Sequence, residues 1–137
     1  MTNVLFVCVA NSGRSLMAER LFREAAGDRH RARSAGSAPG TAAHPQVVEA
    51  LREVGIDAGD HVPRSLDGEA LAWADVAVST CSEEACPVTP GVRRITWLLA
   101  DPKNKPLADV RVLRDQIQHL VSGRVDELDA AADATPA

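Results

Sequence analysis

Residues 4–15 decide the fold, and they read Val4-Leu5-Phe6-Val7-Cys8-Val9-Ala10-Asn11-Ser12-Gly13-Arg14-Ser15. Their apolar start is typical of a strand that is buried on both faces of a parallel sheet. A helical pattern begins at Arg14, so the residues between must turn the chain at the carboxyl end of the strand. Such a turn points backbone N–H groups at one place, and beside a helix N-terminus it binds tetrahedral oxyanions.

Two side chains make this loop a candidate reactive site. Arg14 carries a planar, permanently charged guanidinium that matches two oxygens of one anion. Cys8 lies in the same positive field, which favours its thiolate form. Because an anion-binding loop requires no cysteine, Cys8 indicates nucleophilic attack on the bound anion. In the competing interpretation Cys8 is a small buried apolar residue and Arg14 an ordinary arginine, but a helix N-terminus disfavours a cation.

The candidate anion-binding residues follow the cysteine directly. They are Val9, Ala10, Asn11, Ser12, Gly13 and Arg14. The chain contains no Gly-x-x-x-x-Gly-Lys-Ser/Thr run, so the loop is not a nucleotide-binding loop of the Walker type.

Length and composition are ordinary for a small globular domain and argue against a nucleic-acid-binding or membrane-spanning protein. The 137 residues fit one domain, and we expect a catalytic domain over residues 1–129 and a frayed tail over residues 130–137. A net charge of −4 argues against nucleic-acid binding, and no apolar run is long enough to span a membrane. The odd count of three cysteines and the lack of an evident signal peptide favour a reducing cytoplasm.

The order of the remaining patterns predicts an α/β fold. Strands are expected over residues 3–8, 31–35, 75–80 and 95–99, and helices over residues 14–26, 45–54, 66–73 and 107–121, the last with a continuation through Leu128. This alternation predicts a small four-stranded parallel sheet flanked by helices on both faces. Ligands of such sheets bind at the carboxyl ends of the strands, which is where Cys8 lies.

Two further cysteines follow the third predicted strand. Cys81 stands at a strand end on the same sheet edge as Cys8, so the two can come within disulfide reach. Cys81 and Cys86 would point apart on an intact helix and could pair only if the turn between them unwinds. As alternatives, Cys86 is a loop thiol of no consequence, or the pair belongs to a zinc site. The spacing is loose for zinc and no histidine lies nearby in sequence, so we expect no metal.

Asp101-Pro102 follows the fourth predicted strand and therefore also emerges at the edge that carries Cys8. A carboxylic acid at this place could protonate a leaving oxygen. The plain alternative is an Asp-Pro turn, which is common in loops. The cysteine loop upstream favours the acid.

Together these features resemble the arsenate reductases that are built on the low-molecular-weight protein tyrosine phosphatase fold. The resemblance covers nearly the whole chain and is carried by the Cys8–Ser15 loop, Ser34-Ala35-Gly36, the Cys81/Cys86 pair and Asp101-Pro102. The loop and the Asp-Pro pair are shared with the phosphatases. The cysteine pair favours the reductases.

The resemblance implies a first step at Cys8. Arsenate would dock on the backbone of residues 9–14 and on the Arg14 side chain, where phosphate or sulfate could also bind. Cys8 would attack arsenic while Asp101 protonates the departing oxygen. Ser15 and Asn11 would hold the thiolate and the loop in shape by hydrogen bonds.

The resemblance also implies that two further thiols carry the oxidation outward, in a reaction that serves arsenic detoxification. Cys81 would attack Cys8 and release arsenite, leaving a disulfide between them. Cys86 would then attack Cys81 and take the disulfide to the surface, where thioredoxin reduces it. This relay requires no cofactor, and a monomer is the expected state.

The chain departs from its relatives in the loop and between the two later cysteines. Gly13 occupies a position at which several relatives carry an additional cysteine. The spacer between Cys81 and Cys86 has four residues, fewer than in the best-known thioredoxin-linked relatives. We expect the three-cysteine relay to tolerate both differences, with a change in how the turn unwinds.

A third departure concerns a cation site. Some relatives bind potassium near the loop through an Asn, a Glu, a Ser and an Asp. Asn11, Glu19 and Ser34 match three of these, but Arg64 stands at the fourth position. Because a cation is disfavoured beside an arginine, we expect no potassium site and an ion pair between Arg64 and Glu19.

Two other functions stay open at the level of sequence. A low-molecular-weight tyrosine phosphatase would need only the Cys8–Ser15 loop and Asp101, and would leave the Cys81/Cys86 pair without a role. Lys103-Asn104-Lys105 follows the Asp-Pro pair where the phosphatases place aromatic residues, so we expect only weak phosphatase side activity. A non-catalytic oxyanion or redox sensor is the other alternative, and turnover by the isolated protein would exclude it.

Overall fold

The computed structural model of the chain describes residues 1–81 and 93–134, with side chains through residue 131. Its elements in chain order are β1 (Asn3–Cys8), α1 (Arg14–Ala26), β2 (Arg31–Gly36), α2 (Pro45–Arg52), α3 (Gly68–Trp73), β3 (Val76–Ser79), β4 (Arg93–Thr96) and α4 (Leu107–Ala134). Cys86 and the turn predicted to unwind before it lie outside the described residues.

β1 lies in the interior of a parallel sheet whose order is β2-β1-β3-β4. Val7 faces Ala35 of β2 on one side and Ser79 of β3 on the other. Because the strand order reverses at β1, a crevice opens beyond the carboxyl end of this strand. Cys8 is the last residue of β1 and stands at that crevice.

The alternation of side chains along β1 supplies two cores. Val4 and Phe6 belong to the larger core, to which α1, α2 and α4 contribute. Leu5 and Val7 face the opposite side, where the short helix α3 packs. With period-two alternation one strand is buried on both faces, and the predicted fold, a four-stranded parallel sheet between helices, is confirmed.

The strand predicted over residues 95–99 lies earlier, at Arg93–Thr96. Pairing to β3 depends on the backbone, so Arg93 and Arg94 join the sheet although charged side chains are poor strand signals. Trp97 and Leu99, whose apolar side chains suggested the later strand, pack on the larger core from the segment that follows β4.

The last helix is longer than its clearest sequence pattern. It passes Gly123 because Val121 and Val125 on either side are buried in the larger core. It then includes residues 130–134 of the segment expected to be frayed, while residues 135–137 lie outside the described residues. Among the described residues, no helix combines the length and apolar character that a membrane span needs.

Candidate active site

The loop after β1 turns its carbonyl groups away from the crevice. Each of the carbonyls of residues 8–12 accepts a hydrogen bond from a neighbouring segment, four of them from backbone N–H groups: Ser37 to Cys8 (3.0 Å), Ala38 to Val9 (2.8 Å), Gly40 to Ala10 (2.9 Å) and His44 to Ser12 (3.0 Å). The peptide N–H groups therefore face inward. Within the described chain, those of residues 10, 12, 13 and 14 donate to no other backbone group, as an anion-binding nest requires.

Gly36 lets the neighbouring strand approach this loop closely. A Cβ atom at Gly36 would lie 2.4 Å from the Val9 carbonyl oxygen and 2.9 Å from the Asn11 nitrogen. Any larger residue would push the loop away from β2. This contact explains the glycine of the Ser34-Ala35-Gly36 motif in physical terms.

The Cys8 sulfur is buried, with the residue 2% exposed, and lies among hydrogen-bond donors. The Asn11 backbone N–H donates to Sγ at 3.1 Å, and the Ser15 Oγ lies 2.8 Å from Sγ. Because the Asn11 side-chain amide donates to Ser15 Oγ at 2.8 Å, the serine hydroxyl is left to donate its own proton to sulfur. The Asn11 N–H of the loop and the Ser15 hydroxyl of α1 thus both direct a donor at the Cys8 sulfur.

Asn11 stabilises the loop through its backbone conformation and through its side chain. It adopts a left-handed conformation with φ of 53°, which asparagine tolerates better than most residues. Its side-chain oxygen accepts a hydrogen bond from the Arg64 backbone N–H at 3.0 Å, which fixes the orientation of its amide. The structure thus links Asn11, Ser15 and Cys8 by hydrogen bonds.

His61 is a member of the site that sequence reasoning did not single out. Its Nε2–H donates to the Asn11 carbonyl oxygen at 2.8 Å. Burial lowers the pKa of His61, while the hydrogen bond to Asn11 opposes that shift. No local signal marks this histidine, because its contact joins residues that are 50 positions apart.

The other predicted loop residues either line the crevice or support the loop from behind. Val9, Ala10 and Gly13 line the crevice beside Cys8. Ser12 is buried, and its hydroxyl donates to the Ala10 carbonyl oxygen at 3.2 Å, which shapes the loop from behind.

Arg14 and Asp101 meet on the far side of the crevice. One Arg14 nitrogen donates to the Leu99 carbonyl oxygen at 3.4 Å, and another lies 3.9 Å from an Asp101 carboxylate oxygen. The second Asp101 oxygen accepts a hydrogen bond from the Lys103 backbone N–H at 3.0 Å. The Asp101 side chain is 58% exposed, so solvent can exchange protons with it.

The crevice is small, and charged side chains form part of its lining. Its volume is about 150 Å³, and it is lined by Cys8, Val9, Ala10, Gly13, Arg14, His44, Asp101, Pro102 and Lys103. Of the described side chains, no Phe, Tyr or Trp lines it. Such a space suits a compact oxyanion better than an aromatic ring.

Cys81 lies close to Cys8 in the fold. Both belong to the small cluster on the α3 side of the sheet, and Cys81 is 4% exposed. Thr80 precedes Cys81 and donates to the Val7 carbonyl oxygen from both its backbone N–H and its hydroxyl, each at 2.8 Å. Cys8 carries a free thiol, whereas Cys81 is part of a disulfide bond.

The prediction of an ion pair between Arg64 and Glu19 is wrong. Glu19 is buried, accepts a hydrogen bond from Ser34 Oγ at 3.0 Å, and pairs with Arg20 at 3.1 Å and Arg23 at 3.6 Å. Arg64 acts through its backbone N–H on Asn11 instead. Arg20 and Arg23 lie on the same helix as Glu19, so the charge of this carboxylate is balanced by cations within α1.

No cluster of three or more His, Cys, Asp or Glu side chains suited to a metal ion occurs among the described residues. The expectation that the site works without metal stays a prediction.

A buried cysteine in a nest of inward N–H groups, with an arginine and a carboxylic acid across a small crevice, defines a cysteine-dependent site for tetrahedral oxyanions. The sequence matches the family model of the low molecular weight phosphotyrosine protein phosphatases over residues 3–133. The chain belongs to this family.

Relatives within the family include arsenate reductases. The chain is 35% identical over 119 residues to arsenate reductase 2 of Staphylococcus epidermidis, a match that covers 84% of this chain and 89% of that protein. The solved thioredoxin-dependent arsenate reductase of Corynebacterium glutamicum is 32% identical, with a TM-score of 0.70 over 96% of this chain and 61% of that one. The YwlE arginine phosphatase of Geobacillus stearothermophilus shares the fold, with a TM-score of 0.88 at 24% identity over 100% and 99% of the two chains.

Proposed function

We propose that this protein is an arsenate reductase that converts arsenate to arsenite and serves arsenic detoxification. The observation that carries the proposal is that two buried cysteines, Cys8 and Cys81, belong to one small apolar cluster at the sheet edge that holds the oxyanion nest. A phosphatase needs the first of these cysteines and has no use for the second. The arsenate reductases among the relatives support the same conclusion.

In the first step arsenate binds to the N–H groups of residues 9–14 and to the Arg14 guanidinium. The Cys8 thiolate attacks arsenic(V) and forms a sulfur–arsenic bond. One arsenate oxygen leaves as water after it takes a proton, which Asp101 supplies. Phosphate and sulfate have the same tetrahedral shape and compete for the nest.

The second step reduces the arsenic. The Cys81 thiolate attacks the Cys8 sulfur, the electron pair of the sulfur–arsenic bond passes to arsenic, and arsenite leaves as arsenic(III). The two cysteines lose two electrons in total and form a disulfide. The shared cluster of Cys8 and Cys81 supports this transfer, since sulfur must reach sulfur directly.

The third step restores Cys8. The Cys86 thiolate attacks Cys81, releases Cys8 as a thiolate and forms a disulfide between Cys81 and Cys86. Thioredoxin, the reductant named for the relative from Corynebacterium glutamicum, reduces this bond and returns the enzyme to its starting state. Because the cycle needs reduced thiols, it fits the reducing cytoplasm. A monomer is the expected state.

A phosphatase is the second candidate, because the chain belongs to a phosphatase family and shares its fold with the YwlE arginine phosphatase. Its chemistry needs Cys8, Arg14 and Asp101 alone. A crevice of about 150 Å³ with no Phe, Tyr or Trp among its described lining residues disfavours an aromatic phosphate ester. Hydrolysis of aryl phosphates is therefore a weak side reaction.

The proposal is tested by arsenate-dependent NADPH oxidation with thioredoxin and thioredoxin reductase, measured for wild type and for Cys86→Ser. Multiple turnovers that the variant loses would establish both the relay and its reductant. Turnover only with a small-thiol reductant would keep arsenate reduction and exclude Cys86 as the exit. Efficient aryl phosphate hydrolysis without arsenate turnover would favour the phosphatase.

A further inference from the structure

His44 lies in the wall of the crevice that holds Cys8. Its backbone N–H donates to the Ser12 carbonyl oxygen of the oxyanion loop at 3.0 Å. Because Pro45 follows, the backbone of His44 is restricted to an extended conformation, and its φ and ψ are −64° and 131°. The ring lies against Gly13, since a Cβ atom there would be 3.3 Å from the His44 Cδ2. The loop and the proline thus hold His44 beside the inward N–H groups.

The side chain of His44 does not serve the helix at whose start it stands. His44 is the N-cap of α2, a position that favours Ser, Thr, Asp and Asn because their oxygens accept hydrogen bonds from the first N–H groups of a helix. It makes no side-chain capping hydrogen bond, and within the described chain its imidazole has no hydrogen-bond partner. Departures from a local preference are expected at functional positions. The ring nitrogens are therefore open to a ligand in the crevice.

The charges that line the crevice with His44 are of both signs. Arg14 and Lys103 are cations, Asp101 is an anion, and Cys8 supplies the thiol. Because the crevice measures only about 150 Å³, a bound anion lies within a few ångström of the groups that line it. An opposite charge at such a distance raises the proton affinity of an imidazole by about tenfold or more. By linkage, protonation of the imidazole raises the affinity for the anion by the same factor.

We propose that His44 is a further anion-binding residue of this site, whose imidazolium form adds a cation to the backbone nest and to Arg14. Imidazole side chains change charge between about pH 5 and 8, so anion affinity rises as the pH falls through this range. The inference rests on the proposed function, because it takes the crevice to be the oxyanion site of that reaction.

The test measures the binding of sulfate, which keeps its charge between about pH 5.5 and 8, whereas arsenate and phosphate do not. NMR titration gives the sulfate affinity of Cys8→Ser, in which no thiolate titrates, and of Cys8→Ser combined with His44→Gln. From pH 8 to 5.5 we expect the affinity to rise about tenfold in the first protein and less than about twofold in the second. Asp101 and His61 are present in both proteins, so their titration cancels in the comparison. At pH 7, sulfate should also move the His44 ring signals toward those of imidazolium.

Two further variants in the Cys8→Ser background keep the test sharp. His44→Lys places a permanent charge at the same position, so it should bind sulfate at pH 8 about as tightly as Cys8→Ser does at pH 5.5. It also serves if His44→Gln does not fold. His119→Gln, at an exposed position on α4, is the matched histidine control. We expect it to keep the pH dependence of Cys8→Ser.

Turnover supplies a readout that separates binding from proton transfer. With Cys8 intact, His44→Gln should raise KM for arsenate about tenfold at pH 5.5 and change kcat by less than about twofold, because the contact is made to the bound anion and not to the leaving oxygen alone. A loss of kcat with unchanged sulfate affinity would make His44 a proton donor and overturn the inference.

The outcomes also separate this inference from the proposed function. An equal pH dependence of sulfate affinity with and without the imidazole of His44 would overturn the inference, as would no gain in affinity from His44→Lys at pH 8. Sulfate binding requires no turnover. Lack of arsenate turnover by wild type would therefore overturn the proposed function, while the sulfate titrations would still decide the role of His44.

Discussion

The Cys8–Ser15 loop and the Asp101-Pro102 segment face each other across one crevice, yet they are held very differently. Asn11 and Ser15 of the loop are fully buried, and each carbonyl of residues 8–12 has a hydrogen-bond donor from another segment. The Asp101 carboxylate is 58% exposed and accepts one backbone hydrogen bond. The nucleophile and the anion cradle are therefore preorganised, whereas the proton donor is exposed and is held by few contacts of its own among the described residues.

This difference predicts a ranking of effects. Changes in the loop should remove binding and attack together, because its parts share one network of hydrogen bonds. Changes in the acid segment should slow proton transfer and leave anion binding intact. The following variants test the contrast in order of expected size.

Cys8→Ser should give the largest loss, about 10⁴-fold or more in kcat, because a serine hydroxyl in this nest is a poor nucleophile near neutral pH. Arsenate turnover measures the loss, and phosphate protection against heat shows whether the nest still binds. We expect binding to survive, since the N–H groups are unchanged. Residual turnover near the wild-type rate would assign the attack to another group.

Arg14→Lys should lower kcat/KM for arsenate by about 10²–10³-fold, as expected for the loss of a donor to a bound oxyanion. Lysine keeps the charge but not the fork that reaches two oxygens. Arg124→Lys on α4, where the arginine pairs with Glu127, is the matched control and should match wild type. A loss under tenfold for Arg14→Lys would mean that the backbone nest alone carries binding.

Asp101→Asn should lower kcat by about 10²-fold with little change in phosphate affinity, because general acids contribute about 10²–10⁴-fold. Asp126→Asn, an exposed carboxylate on α4, serves as control. If Asp101→Asn instead weakens phosphate binding as much as it slows turnover, the exposed acid belongs to the cradle and the contrast breaks down.

His61→Gln should have the smallest effect, seen in the pH dependence of stability. Burial lowers the pKa of His61 below 6.5 in the folded protein, so below pH 6.5 the unfolded chain binds more protons and stability falls as the pH drops. The stabilising effect of keeping His61 neutral is fully present above pH 6.5 and is lost as the pH falls through its lowered pKa. Glutamine keeps a donor for the Asn11 carbonyl but does not titrate, so the melting temperature of the variant should vary less between pH 7 and 5. An equal pH dependence in both proteins would exclude His61 as its source.

The sequence alone was enough for the β1–loop–α1 unit and for the order of strands and helices. The predicted bounds of α1 at Arg14 and Ala26 match the structure, because a helical period, a following glycine and an apolar strand are all local signals. The parallel sheet follows from the alternation of those signals. Cys8, Arg14 and Asp101 could be proposed together because each follows or flanks a predicted strand on one edge.

Only the tertiary structure decided which distant groups complete the site. His61 on the Asn11 carbonyl, Arg20 and Arg23 on Glu19 in place of Arg64, and Pro102 on Gly13 are all choices among partners that sequence spacing leaves equally open. The bounds of β4 depend likewise on its pairing with β3 and not on its own side chains. Local patterns follow from the chemistry of neighbouring residues, whereas these contacts follow from how whole elements pack, and packing depends on every element at once.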